Sequence, residues 1–283
     1  MKIIASPEKL QKLIIAEKLK GKKVGLIPTM GALHEGHFSL VKQSLKKCSC
    51  TIVSIFVNPT QFGQNEDLDN YPNTLVEDKK HLKALDCDIL FLPFVKDMYS
   101  KGYNTWVEIK GITEKLCGKS RPVHFRGVTT VVSKLFNICL PDIAFFGQKD
   151  YQQCIVIEKM TQELNFPVKI QICPTVRETD GLAMSSRNKY LTGEFRSEAL
   201  VLRKALLEAK SLINQNERNT KNIVKAMQKI INTAKSSRID YIEIIDPLTL
   251  ESVDEIAGKV VIALAVHIGP ARLIDNEIII VSK

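Results

Sequence analysis

Two apolar runs, residues 24–27 and 51–57, stand on either side of a segment with helical spacing (Phe38, Val41, Leu45), and no other stretch constrains the fold as strongly. The second run is almost wholly apolar. That is the pattern of a strand covered on both faces, as in parallel sheets whose crossovers are helices. The chain therefore opens a β-α-β unit. Between its first strand and its helix lies Ile27-Pro-Thr-Met-Gly-Ala-Leu-His-Glu-Gly-His37. Pro28 lacks a ladder donor and is expected to end the strand. Gly31 permits a tight turn, and Gly36 leaves room for a ligand against the first helical turn. His34 and His37 lie three apart, on one helix face. A helix start offers N–H groups and a positive dipole end to an anion, and two imidazoles add donors there. From the residues alone the pair is either a solvated helix start or a phosphate site. The spacing is not the His-Glu-x-x-His of a zinc helix, and no third ligand stands out.

The alternation of strand and helix patterns continues for more than half the chain. Ser6-Pro7-Glu8 predicts a capped helix start, following directly on the N-terminus, with Gly21 as its stop. The polar stretch 58–72 follows a strand, the place where parallel sheets bind ligands; Asn58 and Gln61 there offer uncharged donors and acceptors, or plain turn chemistry. Thr74-x-x-Glu77 reads as a capping box for a helix running to about Leu85. Strands are expected over 89–92 and 105–109. A basic, glycine-flanked loop over 118–127 then precedes a helix over 128–139 and is either an anion site or a solvated loop. The strand 143–146 ends in Gly147-Gln148-Lys149-Asp150 before another helix, so Lys149 is either a point charge for a phosphate or a surface lysine near a turn. After the strand 168–173 comes Arg177-Glu-Thr-Asp-Gly-Leu-Ala-Met184-Ser185-Ser186-Arg187-Asn188. Its two hydroxyls and guanidinium suit an anion clamp, though a serine pair also caps helices.

Beyond this tract the texture changes. A helix opened by Thr192 carries the stripe Ala199, Leu202, Leu206, Ala209 and Ile213, and a second carries Ile223, Met227, Ile230 and Ala234. Three short strands, 241–245, 260–266 and 278–281, follow without intervening long helices, the mark of a small antiparallel sheet. The expected architecture is α/β: a Rossmann-like parallel-sheet domain over 1–175, then a smaller, lid-like C-terminal α+β domain over 176–283.

Composition narrows the function. With 283 residues there is enough chain for two cores, and a formal net charge of +9 favours anionic partners. The basic residues are dispersed, which argues against a nucleic-acid tail. Seven cysteines without any Cys-x-x-Cys read as reduced thiols. No apolar run reaches the ~20 residues of a membrane span, so no membrane partner is expected and a cytoplasmic protein is the default.

The pairing of His-x-Gly-His at the first strand–helix junction with Met-Ser-Ser-Arg after the last strand of the alternating region resembles the HIGH and KMSKS elements of the nucleotidylyl-transferring superfamily. More closely, PTMGALHEGH, NPTQFG, HFRGV, FFGQKDYQQ, the 177–188 tract and Arg272-Leu-Ile-Asp-Asn276 resemble the pantothenate synthetase (pantoate:beta-alanine ligase) family, in the family's order. The resemblance implies ATP-dependent formation of a pantoyl adenylate with release of pyrophosphate, followed by attack of beta-alanine to give pantothenate and AMP. It implies ATP and Mg2+ as cosubstrate and ion, pantoate and beta-alanine as substrates, and a homodimer. Carried over, Met30, Gly31, Ala32, Leu33, His34, Glu35, Gly36 and His37 hold ATP, joined by Gly147, Gln148, Lys149, Asp150, Val176, Met184, Ser185, Ser186 and Arg187. His37, His34, Lys149 and Arg187 are the catalytic candidates; Gln61 and Gln153 hold pantoate, with Gln61 also near beta-alanine. Glu77-Asp78 matches only in part an acidic pair that the family links to magnesium, and the metal ligands stay open. Two rivals remain at this point, a nucleotidylyltransferase acting on a phosphorylated substrate and a basic RNA-binding module.

Overall fold

The computed structural model describes residues 1–64 and 66–281; Asn65, in the polar loop, lies outside them. In chain order the elements are β1 (Lys2–Ile4), α1 (Pro7–Leu19), β2 (Val24–Thr29), α2 (Glu35–Lys47), β3 (Cys50–Ile55), α3 (Leu75–Ala84), β4 (Ile89–Phe91), α4 (Val95–Met98), α5 (Cys117–Ser120), α6 (His124–Cys139), β5 (Ile143–Gly147), α7 (Tyr151–Glu163), β6 (Lys169–Cys173), α8 (Glu194–Glu198), α9 (Val201–Asn214), α10 (Thr220–Ile231), β7 (Ser237–Ile245), β8 (Lys259–Ile268) and β9 (Ala271–Ile280). They fall into two compact units. The first comprises Met1–Glu114, Arg121–Gln148 and Gln153–Pro174; the second comprises Thr175–Lys283 with two short segments, Lys115–Ser120 and Lys149–Gln152.

The first unit is a six-stranded sheet in the order β1-β4-β3-β2-β5-β6, every neighbouring pair parallel, as the apolar runs require. Ile27, Val53, Leu90 and Phe145 lie in one core cluster with Leu40, Val41 and Leu82. Full burial of each such side chain contributes roughly 1.5–3 kcal/mol. The order reverses at β2, whose neighbours are β3 on one side and β5 on the other. This switch point is where the carboxyl ends of neighbouring strands part to open a crevice, and the segments after β2 and β5 both begin there.

Three local expectations change. Pro28 does not end β2, which runs to Thr29 and keeps register with β3 through Pro28 and Ser54; pairing with β5 ends at Leu26, so proline stands where the strand has a neighbour on one side only. No strand forms over 105–109, because Val107 bonds α6 side chains instead of a neighbouring strand: its N–H donates to Thr130 Oγ1 (3.1 Å) and its carbonyl accepts from Thr129 Oγ1 (2.5 Å). An edge strand, β1, forms where only a helix start was expected, and it pairs with β4.

The second unit is an antiparallel sheet, β7-β8-β9, packed with α9 and α10. The predicted stripes are its core: Ala199, Leu202, Leu206, Ala209, Ile213, Ile223 and Met227 cluster with Ile262, Leu264 and Val266 of β8. Thr192 does not open the helix. Gly193 precedes the short α8, and α9 begins at Val201. The last strand begins at Ala271 rather than 278, since its polar half (Arg272, Asp275, Asn276, Glu277) is paired along β8 as fully as its apolar half.

Candidate active site

The loop after β2 is set by backbone geometry before any side chain is considered. Gly31 has φ +87°, and a Cβ there would lie 3.0 Å from Ile55 Cγ2, so the position takes glycine on two grounds. Ala32 follows with φ +50°. This unusual turn is held by Asp78, which is only 2% exposed: its Oδ2 accepts from the Ala32 N–H (3.0 Å) and its Oδ1 from the Leu33 N–H (2.9 Å). Hydrogen bonds to a charged acceptor contribute about 1.5–3 kcal/mol each, enough to offset a left-handed residue. Thr74 takes part as well. It makes no capping bond to α3; its hydroxyl donates to Asp78 Oδ1 (3.1 Å). The expected Thr74–Glu77 capping box is therefore absent, because a buried carboxylate competes for the hydroxyl.

The turn delivers the histidines to the start of α2. His34 is the residue preceding the helix, and the two rings brace each other across the first turn. His34 Nδ1 accepts from the Gly36 N–H (3.2 Å), His37 Nδ1 accepts from the His34 N–H (3.3 Å), and the ring centroids are 4.1 Å apart. With Nδ1 as acceptor, a neutral imidazole carries its proton on Nε2. In that form each ring is a donor at Nε2, the kind of group an anion requires. Glu35, at the first helical position, pairs with Lys42 (3.6 Å).

Gln61 stands beside this loop, its Nε2 2.9 Å from Met30 Sδ, and is only 8% exposed. Asn58 braces it: Asn58 Nδ2 donates to Gln61 Oε1 (3.1 Å) and to the Gly127 carbonyl (3.1 Å), while its Oδ1 accepts from the Tyr99 hydroxyl (2.9 Å). Gly127 permits the close approach, since a Cβ there would lie 2.5 Å from the Thr60 carbonyl oxygen. The basic loop expected over 118–127 resolves into ordered parts. α6 begins at His124, whose Nδ1 is 2.9 Å from the Gln61 carbonyl oxygen, and Arg121 forks onto Glu66 (2.7 and 2.6 Å). Burial pushes the Glu66 carboxyl up, but the Arg121 hydrogen bond and charge outweigh it and hold it below the usual carboxylate range. Gly147 and Gln148 follow at the end of β5, where the Gly147 carbonyl accepts from Cys154 Sγ (3.3 Å), and Gln153 is half-buried in the first turn of α7.

In the second unit Lys149 lies 3.7 Å from Asp150, and its carbonyl accepts from Asn276 Nδ2 (2.9 Å). Val176 and Met184 close a hairpin, with the Met184 N–H donating to the Val176 carbonyl (3.0 Å) and Arg177 bridged to Ala183. Ser185 then caps a single 3-10 turn, Ser186–Tyr190, by accepting from the Arg187 N–H (3.3 Å). The cap reading of this serine pair holds, and the cap fixes the backbone of Arg187 at the start of the turn. Sequence reasoning did not single out Asp78, Gly127 or Asp275 as residues that shape these parts, since each acts on a partner far away in the chain. Among the described residues no group of three or more His, Cys, Asp or Glu could hold a metal ion.

The chain matches the Pantoate-beta-alanine ligase family over residues 2–278. The pantothenate synthetase of Acetivibrio thermocellus is 54% identical over 279 residues, covering 99% of both chains, and that of Moorella thermoacetica is 50% identical over 279 residues with the same coverage. The crystal structure of pantothenate synthetase from Thermus thermophilus superposes with a TM-score of 0.93 at 39% identity, covering 98% of this chain and 99% of that one. The pantoate-beta-alanine ligase from Francisella tularensis, complexed with beta-gamma ATP and beta-alanine, superposes with a TM-score of 0.82 at 37% identity, covering 98% of this chain and 97% of that one. Likeness of this depth along the whole chain decides against the two rival readings. The chain belongs to the pantoate-beta-alanine ligase family, the ATP-dependent ligases that join pantoate to beta-alanine as pantothenate.

Proposed function

We propose that this ligase works through a pantoyl adenylate, with the residues of the β2–α2 junction holding the ATP phosphates. A pantoate carboxylate oxygen attacks the α-phosphorus, the bond to the bridging oxygen breaks, and pyrophosphate leaves. The amine of beta-alanine then attacks the acyl carbon, loses a proton, and displaces AMP. The difficulty of the first step is like charge. A carboxylate at 4 Å from an anionic phosphate in a partly screened site is repelled by about 4 kcal/mol. That corresponds to roughly a thousandfold in rate. Donors aimed at the phosphates offset it and stabilise the departing pyrophosphate. The observation that carries the reading is the mutual bracing of His34 and His37 at the helix start, which leaves Nε2 as the donor of each neutral ring.

In this reading Met30, Gly31, Ala32, Leu33, His34, Glu35, Gly36 and His37 take the nucleotide with Gly147, Gln148, Lys149, Asp150, Val176, Met184, Ser185, Ser186 and Arg187. His37 is the principal catalytic group, and His34, Lys149 and Arg187 supply further charge and donors. Gln61 and Gln153 orient pantoate, and Gln61 reaches towards beta-alanine as well. The domain division of the reading is 1–175 and 176–283. Mg2+ is expected to travel with the triphosphate: among the described residues the chain builds no cage for it, and both oxygens of Asp78 are engaged by backbone amides. No step above is routed through the ion. A cytoplasmic homodimer completes the reading, and sedimentation at micromolar concentration tests the dimer.

The deciding experiment is pyrophosphate release from ATP and pantoate, with and without beta-alanine. One equivalent per site without beta-alanine, and continuous turnover with it, is the expected result. Absence of any pyrophosphate until beta-alanine is added would remove the adenylate from the mechanism.

A further inference from the structure

We propose that Asp275 and Asn276, consecutive residues of β9, are positioning residues that hold the 177–187 tract and Lys149 in fixed relation within the second unit. This rests on the reading above, in which Lys149 and Arg187 meet the ATP phosphates.

Asp275 is 3% exposed and grips one guanidinium with both oxygens: Arg177 Nη1 donates to Oδ2 (2.6 Å) and Nη2 to Oδ1 (2.9 Å). The same Oδ1 accepts from the Asn276 N–H (2.8 Å). Arg177 Nη1 also donates to the Gly181 carbonyl (3.1 Å), so the guanidinium sits inside the turn that joins Arg177 to Ala183. The outer side of that turn is tied separately, by Arg196 to Glu178 (2.7 Å) and to Asp180 (2.6 Å). From the turn the backbone passes directly to Met184, Ser185 and the cap that aims Arg187. The orientation of the Asp275 carboxylate therefore sets the plane of Arg177, Arg177 sets the hairpin, and the hairpin sets Arg187.

Asn276, also 3% exposed, carries the second link, from its Nδ2 to the Lys149 carbonyl (2.9 Å). The two residues pair with Leu264 and Ala263 in the middle of β8, where strand fraying does not reach. Glu277, next on the strand, adds charge balance through Arg203 (2.8 Å) and lies 4.0 Å from Arg177. A buried ion pair is a poor stabiliser, because desolvation consumes most of the attraction, and an apolar pair of similar volume would pack as well. What the bidentate fork adds is angle, since a carboxylate and a planar guanidinium meet in one geometry. A single strand segment that anchors two separate nucleotide-facing pieces is an orienting device.

The test measures kcat and KM for ATP in pantoate-dependent pyrophosphate release, using the full chain. Asp275→Asn and Asn276→Ala are each made alone, and again in the Arg187→Ala and Lys149→Ala backgrounds respectively. Asp275→Asn is expected to lower kcat more than tenfold in the otherwise unaltered enzyme and less than twofold further when Arg187 is already gone, with Asp275→Glu retaining more activity than Asp275→Asn. A residue that merely stabilises the fold would cost the same factor in both backgrounds, and that result, or an unchanged kcat, overturns the proposal. If Asp275→Asn does not fold, the neutral Asn276→Ala change carries the same comparison against Lys149→Ala. An Arg187→Ala enzyme with full activity would instead remove the ATP reading, and the proposal with it; the two failures are told apart by whether the Arg187 variant is itself impaired.

Discussion

The β2–α2 loop and the 177–188 tract both present polar groups suited to phosphate, but they are held in opposite ways. In the loop the fixing bonds run to backbone N–H groups, from the Asp78 carboxylate and the two Nδ1 atoms. In the tract backbone bonds close the hairpin and cap the turn, but the bonds that tie it to its surroundings run between charged side chains: Arg177 to Asp275, and Arg196 to Glu178 and Asp180. Backbone bonding makes the loop a preorganised site whose donors need no rearrangement when charge develops. Side-chain ion pairs with a third of their surface in water can be remade, and Arg196, Glu178 and Asp180 are in that class. The difference makes one region rigid through its backbone and leaves the outer ties of the other open to exchange with water.

Removing the preorganised donor should have the largest effect. His37→Ala is expected to slow pyrophosphate release about a hundred- to a thousandfold, with a shift in melting temperature no larger than the loss of a helix cap explains. An unaltered rate would refute its role. Asp78→Asn comes next. One of the two backbone N–H groups then faces an amide NH2 in place of an acceptor, at a cost of about 1–3 kcal/mol, and kcat should fall about tenfold as the histidine turn loosens. A melting temperature and kcat equal to those of the unaltered enzyme would show that the turn holds itself.

Smaller effects are expected in the tract. Arg196→Gln removes two partly exposed pairs, each contributing at most about 1 kcal/mol, so KM for ATP should rise no more than roughly fivefold per pair. A hundredfold rise would place Arg196 on the substrate itself. The smallest effect is that of acid. Burial pushes the Asp180 carboxyl up, but the Leu182 N–H and the Arg196 hydrogen bond and charge prevail and hold it below the usual aspartate value. A group with a lowered folded pKa contributes its stability above the ordinary value and loses it as pH falls through the lowered one. The methyl resonance of Met184 should therefore broaden or shift only as pH drops below about 4, ahead of global unfolding. A transition near neutral pH would point to another group.

Much of the fold was legible because its signals are local. Residues 51–57 announce a doubly covered strand, Ser6-Pro7 a helix start, and the stripes of α9 and α10 a core face. The histidine pair was legible as a helix start but not as a mutual brace, since which nitrogen accepts depends on where the Gly36 and His34 N–H groups point. Thr74 misled because Thr-x-x-Glu describes a local partner, and the hydroxyl found a buried one instead. β1 was missed for the same reason: three residues become a strand only when β4 lies beside them.

By itself, the order of apolar runs and turn residues determined a parallel α/β unit and an antiparallel unit after it, because periodicity and turn chemistry are properties of neighbours in the chain; the motifs resembled one ligase family, and likeness along the whole chain showed it. Only the tertiary structure decided that Asp78 clamps the loop from 45 and 46 residues away and that Asp275 grips Arg177 from 98. Pairings at such distances carry no local signature, because a buried carboxylate can be satisfied by any donor the fold brings to it.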